Sequence, residues 1–447
     1  MMAADDTPPQ QPDDTTPSDQ TTQPSGDDRG RGPRLGRRGF LGVAGLAGVV
    51  VGGAAGGAIG YAAAPKPTDA AAETVEFYGE HQAGIITPQQ NSLVFAAFDV
   101  ADSVTTQQLE VMLARWAAAA SLLTEGKPVG PVETRPGSPP ADTGEAFDLG
   151  PSKLTVTVGF GPSLFDDRFD LRDKMPAALK PLGQLAVDTT IDPSISGGDI
   201  CVQACSEDPQ VAFHAVRNLA RIGRSTVTLR WLQEGFGRAS ATSTSQVTPR
   251  NLLGFKDGTA NIKAEDPSVA KEWVWVGDET DQPWMKGGSY LVSRKIRMHI
   301  EAWDSDDISD QELIFGRSKD DGAPLSGGSE FTAVDFHKRL DTGKFAVDRF
   351  SHVRLAHPDN NGGAQILRRG YNYTDGIDTR TGTLAAGLFF IAYQKNAHEQ
   401  FVRIQNNLAQ DGLNEYIAPI SSSLFAIPPG LAKIGDWYGK KLFGYTD

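Results

Sequence analysis

Cysteine is almost missing from this sequence: Cys201 and Cys205 are the two in 447 residues. That argues against iron–sulfur clusters and cysteine-held zinc, which need several thiolates. Residues 199–205 read as a strand, on which positions four apart share a face but lie roughly 13 Å apart at about 3.3 Å per residue. A disulfide needs Cα atoms within about 7 Å, so two buried free thiols are expected. Positive charge is also scarce. Lys and Arg number 42 against 56 Asp and Glu, a net charge of -14. Such a surface repels phosphate backbones, so no nucleic-acid partner is expected and a neutral or cationic small molecule suits the chain better. None of the seven histidines forms a His-Glu-x-x-His pair, which removes the zinc-hydrolase signature. A phosphate-binding Gly-x-x-x-x-Gly-Lys-Ser/Thr loop and a Gly-x-Ser-x-Gly nucleophile elbow are both missing. Gly159-Phe160-Gly161 lacks the third glycine of a dinucleotide fingerprint.

The first 30 residues are rich in Asp, Pro, Thr, Gln and Ser and carry no apolar period, which predicts disorder. Gly36-Arg37-Arg38-Gly39-Phe40-Leu41 follows, then an uncharged Gly, Ala and Val stretch to Ala64. A basic region, a moderately apolar region and small residues describe an export signal, and the arginine pair beside Phe-Leu resembles the twin-arginine motif. Gly36 stands where that motif usually has Ser or Thr. Ala70-Ala71-Ala72 before Glu73 offers a small-residue cleavage site. An uncleaved anchor is the competing reading, weakened by the lack of leucine-type residues that drive insertion. The twin-arginine export machinery is therefore an expected partner. The expected destination is the periplasm, cell envelope or exterior.

A length of 447 residues exceeds what one hydrophobic core usually covers. Two domains are expected after the 1–72 leader, at 73–245 and 246–447. Residues 92–100 read as a strand. Residues 105–123 have a helical period with Leu109, Met112, Leu113 and Trp116 on one face. Strands at 154–160 and 199–204, a helix at 208–222 and a strand at 226–234 complete a β-α-β-β-α-β order, that of a ferredoxin-like unit. The polar, Ser/Thr-rich stretch 237–251 marks the boundary. Beyond it come a strand at 289–302, a short helix from 310, extended segments at 345–356 and 365–372, an apolar strand at 387–394 and a helix at 397–409. The expected fold class is α+β, a duplicated ferredoxin-like unit with antiparallel sheets.

Three segments carry candidate chemistry. Gly254-Phe255-Lys256-Asp257-Gly258 contains an Asp-Gly pair, which alone reads as a tight turn. Phe350-Ser351-His352-Val353-Arg354-Leu355 alone reads as a strand with a packed histidine. Ile366-Leu367-Arg368-Arg369-Gly370-Tyr371 alone reads as a basic strand edge. Taken jointly, in this order and at this separation, they resemble the dye-decolorizing peroxidase family. Gly254-x-x-Asp257-Gly258 matches that family's signature. The resemblance runs from Gly79-Glu80-His81-Gln82 through Gly387-Leu388-Phe389-Phe390-Ile391 to the C-terminus. The export signal and length are similar to the branch that includes the iron-uptake-associated deferrochelatases.

The resemblance implies two ferredoxin-like domains and one b-type haem per chain, in the C-terminal half. It implies His352 as the proximal iron ligand, Asp257 as the distal acid and Arg368 as the distal arginine, with Arg369 the competing choice. Glu415 falls where related sequences carry an acidic partner for the proximal imidazole. Arg354 either faces a haem propionate or pairs structurally. Phe389 and Phe390 are expected to line the haem pocket. The implied substrates are hydrogen peroxide and small aromatic donors such as dyes and phenolics. Release of iron from haem with the tetrapyrrole intact is the rival activity, and haem binding without turnover the third reading. A homo-oligomer and an iron-uptake permease are the further partners that the resemblance admits.

These residue types suit peroxide chemistry. A neutral imidazole fills one axial site, and a carboxylate accepting its Nδ1–H gives the ring anionic character. On the open side a carboxylate can move a proton from one peroxide oxygen to the other if it is ionised when peroxide arrives. A neighbouring guanidinium favours the ionised form and stabilises charge on the departing oxygen. A carboxylate base still works at acid pH, where a histidine base is protonated, so an acidic optimum is expected.

Overall fold

The structure is a computed structural model that describes residues 72–446. The arginine pair, the apolar stretch, Ala70 and Ala71 lie outside the described residues. Among the described residues no helix is long and apolar enough to cross a membrane.

Ten strands form one antiparallel sheet system: β1 Ser92–Val100, β2 Thr155–Phe160, β3 Ile200–Ser206, β4 Val227–Arg238, β5 Ser289–Met298, β6 Leu367–Arg368, β7 Tyr371–Asp378, β8 Thr383–Gln394, β9 Ile417–Pro419 and β10 Ser423–Ile427. In the first half the spatial order is β4-β1-β3-β2. In the second half β5 lies between β10 and β8, and β7 follows β8, giving β10-β5-β8-β7. Numbering the four main strands within each half, both orders read fourth, first, third, second, so the ferredoxin-like unit occurs twice. Pairing of β4 with β7 and of β10 with β2 joins the halves, and pairing of β5 with β8 closes a ring of eight strands.

The ring's interior is a packed core around Phe95, Trp231, Phe389, Phe425 and Tyr393. Phe95 alone makes ring contacts with Trp231, Phe389 and Phe425 at 5.4, 5.4 and 6.1 Å. Cys201 and Cys205 lie buried in the same core as free thiols, as their strand spacing required.

The first half covers its outer face with two helices, Thr106–Thr124 and Pro209–Gly223. Thr105 and Gln108 form a capping box on the first, and Asp208 caps the second just before Pro209. Leu109, Met112, Leu113 and Trp116 are buried as the helical period required. The Trp116 indole donates to the Leu219 carbonyl at 2.8 Å, which ties one helix to the other.

The polar stretch 237–251, expected as the boundary, packs into the fold in part: Ser240, Ala241, Thr242 and Ser243 are each at most 2% exposed. Ala239 N–H donates to Gly370 O at 3.0 Å, and the Thr242 hydroxyl to Thr87 O at 2.9 Å. Polar composition does not imply exposure where neighbouring backbone satisfies the polar groups. The segment around His352 is helical rather than extended. His352–Ala356 is one short helix, begun after an extended Ser351 and stopped before Pro358, since the residue before a proline avoids helical dihedrals.

Candidate active site

One cavity in the second half collects His352, Asp257, Arg368 and Arg294 on a largely apolar lining. β5 supplies Ile296 and Met298, β8 supplies Leu388 and Phe390, and the helix Phe401–Asn407 supplies Phe401 and Ile404. The first half reaches in with Val187.

His352 opens its helix and keeps 33% of its side chain accessible. Its Nδ1 lies 2.5 Å from Asp411 Oδ2. An ionised carboxylate only accepts, so Nδ1 carries the proton and Nε2 is left with a lone pair for a metal. Asp411 is 3% exposed, and its other oxygen accepts from Leu413 N–H at 2.9 Å. The carboxylate is thus fixed by its own turn before it meets the imidazole. Burial works against charge on His352, but Asp411's negative charge and hydrogen bond outweigh it and raise the ring's proton affinity above that of an ordinary histidine.

Glu415, the expected partner of this imidazole, is exposed. It sits four residues on, at the end of the turn Gly412–Glu415, and Asp411, which caps that turn, has its place. Arg354 is not in the cavity lining. Its guanidinium donates to the carbonyls of Asp348, Phe336 and Val347 at 3.1, 2.7 and 2.8 Å and lies over the Phe336 and Phe345 rings. These contacts fasten the His352 helix to the preceding loop, which is the structural one of its two readings. Phe389 is also misplaced. It is fully buried in the ring interior, while Leu388 and Phe390 face the cavity, because neighbours on a strand point to opposite faces.

The same alternation resolves the arginine pair. Arg368 faces the cavity, and its Nη1 pairs closely with Asp257 Oδ1. Arg369 points into the ring, fully buried, and donates to Thr87 O at 2.5 Å and to Gln90 Oε1. Asp257 keeps 13% of its side chain exposed, and its N–H donates to Pro249 O at 2.8 Å. Gly258, next in the chain, has φ +103°, and a Cβ there would sit 2.6 Å from the Ala241 nitrogen. The signature glycine is therefore needed both for its left-handed backbone and for close approach. Lys263 donates to Ala241 O at 2.6 Å and Gly258 O at 3.1 Å beneath this loop. Burial first, and then the Arg368 charge, bring its ammonium down to about 8.

Two residues of the pocket escaped sequence reasoning. Arg294 is 1% exposed, pairs through Nη2 with buried Asp188, and has Nε and Nη1 with no protein partner. On β5 it shares a face with Val292 and Ile296, so an arginine at an apolar strand position was the available signal. Asp411 carried the signal of a helix-capping aspartate followed by glycine. A large apolar cavity with one open imidazole nitrogen, and a buried guanidinium whose free N–H groups call for an anion, fits a porphyrin that bears carboxylates. Among the described residues no group of three or more His, Cys, Asp or Glu could hold a bare metal ion.

Fold and pocket together define a peroxidase of the haem class. The chain belongs to the Dyp-type peroxidase family: models of its N-terminal and C-terminal parts match residues 82–237 and 248–432. It is similar to the deferrochelatase of Escherichia coli strain K12, 37% identical over 381 residues, 84% of this chain and 88% of that one. Among solved structures it is similar to ferric DtpA from Streptomyces lividans, with 38% identity, a TM-score of 0.76 and coverage of 83% of this chain and 98% of that one. The DyP-type peroxidase of Streptomyces coelicolor matches with 38% identity, a TM-score of 0.77 and coverage of 84% and 98%. The chain is thus a haem-dependent enzyme that reduces hydrogen peroxide and oxidises organic donors.

Exchanging the carboxylate behind His352 tests the corrected assignment. Asp411→Asn should weaken haem retention about 10- to 100-fold and lower the iron–histidine stretching frequency in resonance Raman spectra of the ferrous protein. Glu415→Gln should leave both at the wild-type value. The reverse pattern would restore Glu415.

Proposed function

We propose that His352 holds the iron, that Asp411 gives it anionic character, and that Asp257 and Arg368 form the acid–base pair that works on hydrogen peroxide. The observation that carries this reading is the close Asp257–Arg368 pair in the cavity that His352 enters from another element. Haem supplies the redox iron that accepts the oxidising equivalents of peroxide and passes them singly to a donor. Asp257 takes the proton from one peroxide oxygen and returns it to the other, which leaves as water. Arg368 pairs with the Asp257 carboxylate and donates to the oxygen on which charge grows. Neither group has to leave the other: a guanidinium has five donors, and the ion pair uses only some of them. Arg294, with Nε and Nη1 free, would take a haem carboxylate.

A second reading is iron release from haem with the tetrapyrrole intact. It is favoured by the likeness to proteins called deferrochelatases, which extends over 84% of this chain. An iron-uptake permease partner belongs to that reading. Dye oxidation and free protoporphyrin measured on one preparation separate the two, since only iron release yields protoporphyrin.

Peroxide reactivity should be greatest at acid pH and should fall at least about 100-fold in Asp257→Asn. Stopped-flow absorbance with hydrogen peroxide measures both. A wild-type rate constant that climbs from about pH 5 toward about pH 8 is the profile of a histidine base and would sink the assignment.

Export by the twin-arginine route is the reading that Gly36-Arg37-Arg38-Gly39-Phe40-Leu41 supports. It carries proteins folded with their cofactor, which suits a chain whose haem site draws on residues as far apart as Val187 and Ile417. Replacing both arginines by lysine should leave the protein in the cytoplasm. Export of the Lys-Lys variant at the wild-type level would contradict it.

A further inference from the structure

Arg368 sits on a two-residue strand that pairs with β8 on one side only, at the end of the strand order. The backbone of an edge residue is normally left to water on its free side. Here that side is taken by a side chain. Asn261 Oδ1 accepts from Arg368 N–H at 2.8 Å, and Asn261 Nδ2 donates to Arg368 O at 2.8 Å. This is the double exchange that a residue of a neighbouring strand would make. The same Nδ2 donates to Ala241 O at 3.1 Å. Asn261 is 7% exposed, and both its oxygen and its nitrogen are used.

Asn261 also belongs to the loop that carries the acid. It lies four residues after Asp257, and its own N–H donates to Gly258 O at 3.1 Å. Lys263 bridges the same two carbonyls, those of Gly258 and Ala241. The far side of this block is tied to the arginine strand again by Ala239 N–H donating to Gly370 O. The Asp257 loop, the tail of β4 and the Arg368 backbone therefore form one hydrogen-bonded unit with Asn261 at its centre.

We infer that Asn261 is a positioning residue for the peroxide reaction, one that fixes the Arg368 backbone in phase with the Asp257 loop so that guanidinium and carboxylate meet over the substrate. The inference rests on the reading of Asp257 and Arg368 as the acid–base pair. An ion pair alone does not fix geometry, because the flexible arginine stem can follow a moving carboxylate. Proton transfer needs both groups held within a fraction of an ångström, and a displacement of about 1 Å can cost about 100-fold in rate.

Asn261→Asp tests this in the full-length holoenzyme. The substitution keeps the shape and the acceptor for Arg368 N–H, but it turns the donating nitrogen into an oxygen facing two carbonyls. The second-order rate constant with hydrogen peroxide should fall about 10- to 100-fold. Haem content, the ferric absorption spectrum and the rate at which added donor restores the peroxide-treated enzyme to that spectrum should each stay within about twofold. The double variant Asn261→Asp/Arg368→Leu should react no more slowly than Arg368→Leu alone, because a residue acting through Arg368 has nothing left to position. Asn261→Ala is scored in the same way if the aspartate variant fails to retain haem. A wild-type peroxide rate in either variant, losses that multiply in the double variant, or an equal fall in the donor step overturns the inference. So does failure of both variants to fold with haem, which would make Asn261 a structural residue only. A wild-type rate in Arg368→Leu itself would instead remove the acid–base reading on which the inference stands.

Discussion

The site depends on the two-residue period of the strand formed by β6 and β7. Leu367 and Arg368 pair with Tyr393 and Ala392, and Tyr371 pairs with Phe389 in the same register, so β6 and β7 are one line of chain along β8. Alternation along that line sends Arg368 to the cavity and Arg369 to the ring interior. A slip of one residue would exchange them and turn Leu367 and Tyr371 out of the core. The register is held from both sides. Arg369 N–H donates to Ile391 O at 2.8 Å, and the buried Arg369 guanidinium finds Thr87 O and Gln90 Oε1 on the segment leading into β1. An arginine buried without these acceptors would be costly, so its partners act as a lock on the register that places Arg368.

Everything else in the pocket is arranged around that line. The second ferredoxin-like half supplies the apolar sheet face from β5 and β8, and a five-residue helix that starts at His352. Asp411 is anchored by its own turn, so the carboxylate does not depend on His352 for its position. The first half is not a bystander. Its excursion after β2 brings Val187 to the lining and Asp188 to Arg294. Closure of the eight-stranded ring removes the edges that two separate four-stranded sheets would expose along β2, β4, β7 and β10.

The fold was legible because its elements are ordinary: alternating apolar strands, one well-capped helix with a clean apolar face, and a β-α-β-β-α-β order that recurs. Asp257, His352 and Arg368 were legible because three motifs stand in one order, and all three side chains reach the same cavity. What failed failed for physical reasons. Glu415 and Asp411 are four residues apart in a run of turns, where no period says which carboxylate faces the imidazole. Phe389 and Phe390 are adjacent, and only the register decides which one enters the core. Arg354 admitted two readings because its carbonyl acceptors, Phe336 and Val347, lie across a loop that no pattern reveals. Arg294 went unseen because a buried cation is recognised by the burial and pairing of its neighbours, above all Asp188 more than a hundred residues earlier.

The measurement that bears most directly on this account is the stopped-flow reaction of hydrogen peroxide with Arg368→Leu and Arg369→Leu, each loaded with haem. Arg368→Leu should retain haem and lose peroxide reactivity about 100- to 1,000-fold. Arg369→Leu, by contrast, should lose thermal stability while its folded fraction reacts at the wild-type rate. Undiminished peroxide reactivity in Arg368→Leu, with the loss appearing in folded Arg369→Leu, would contradict it.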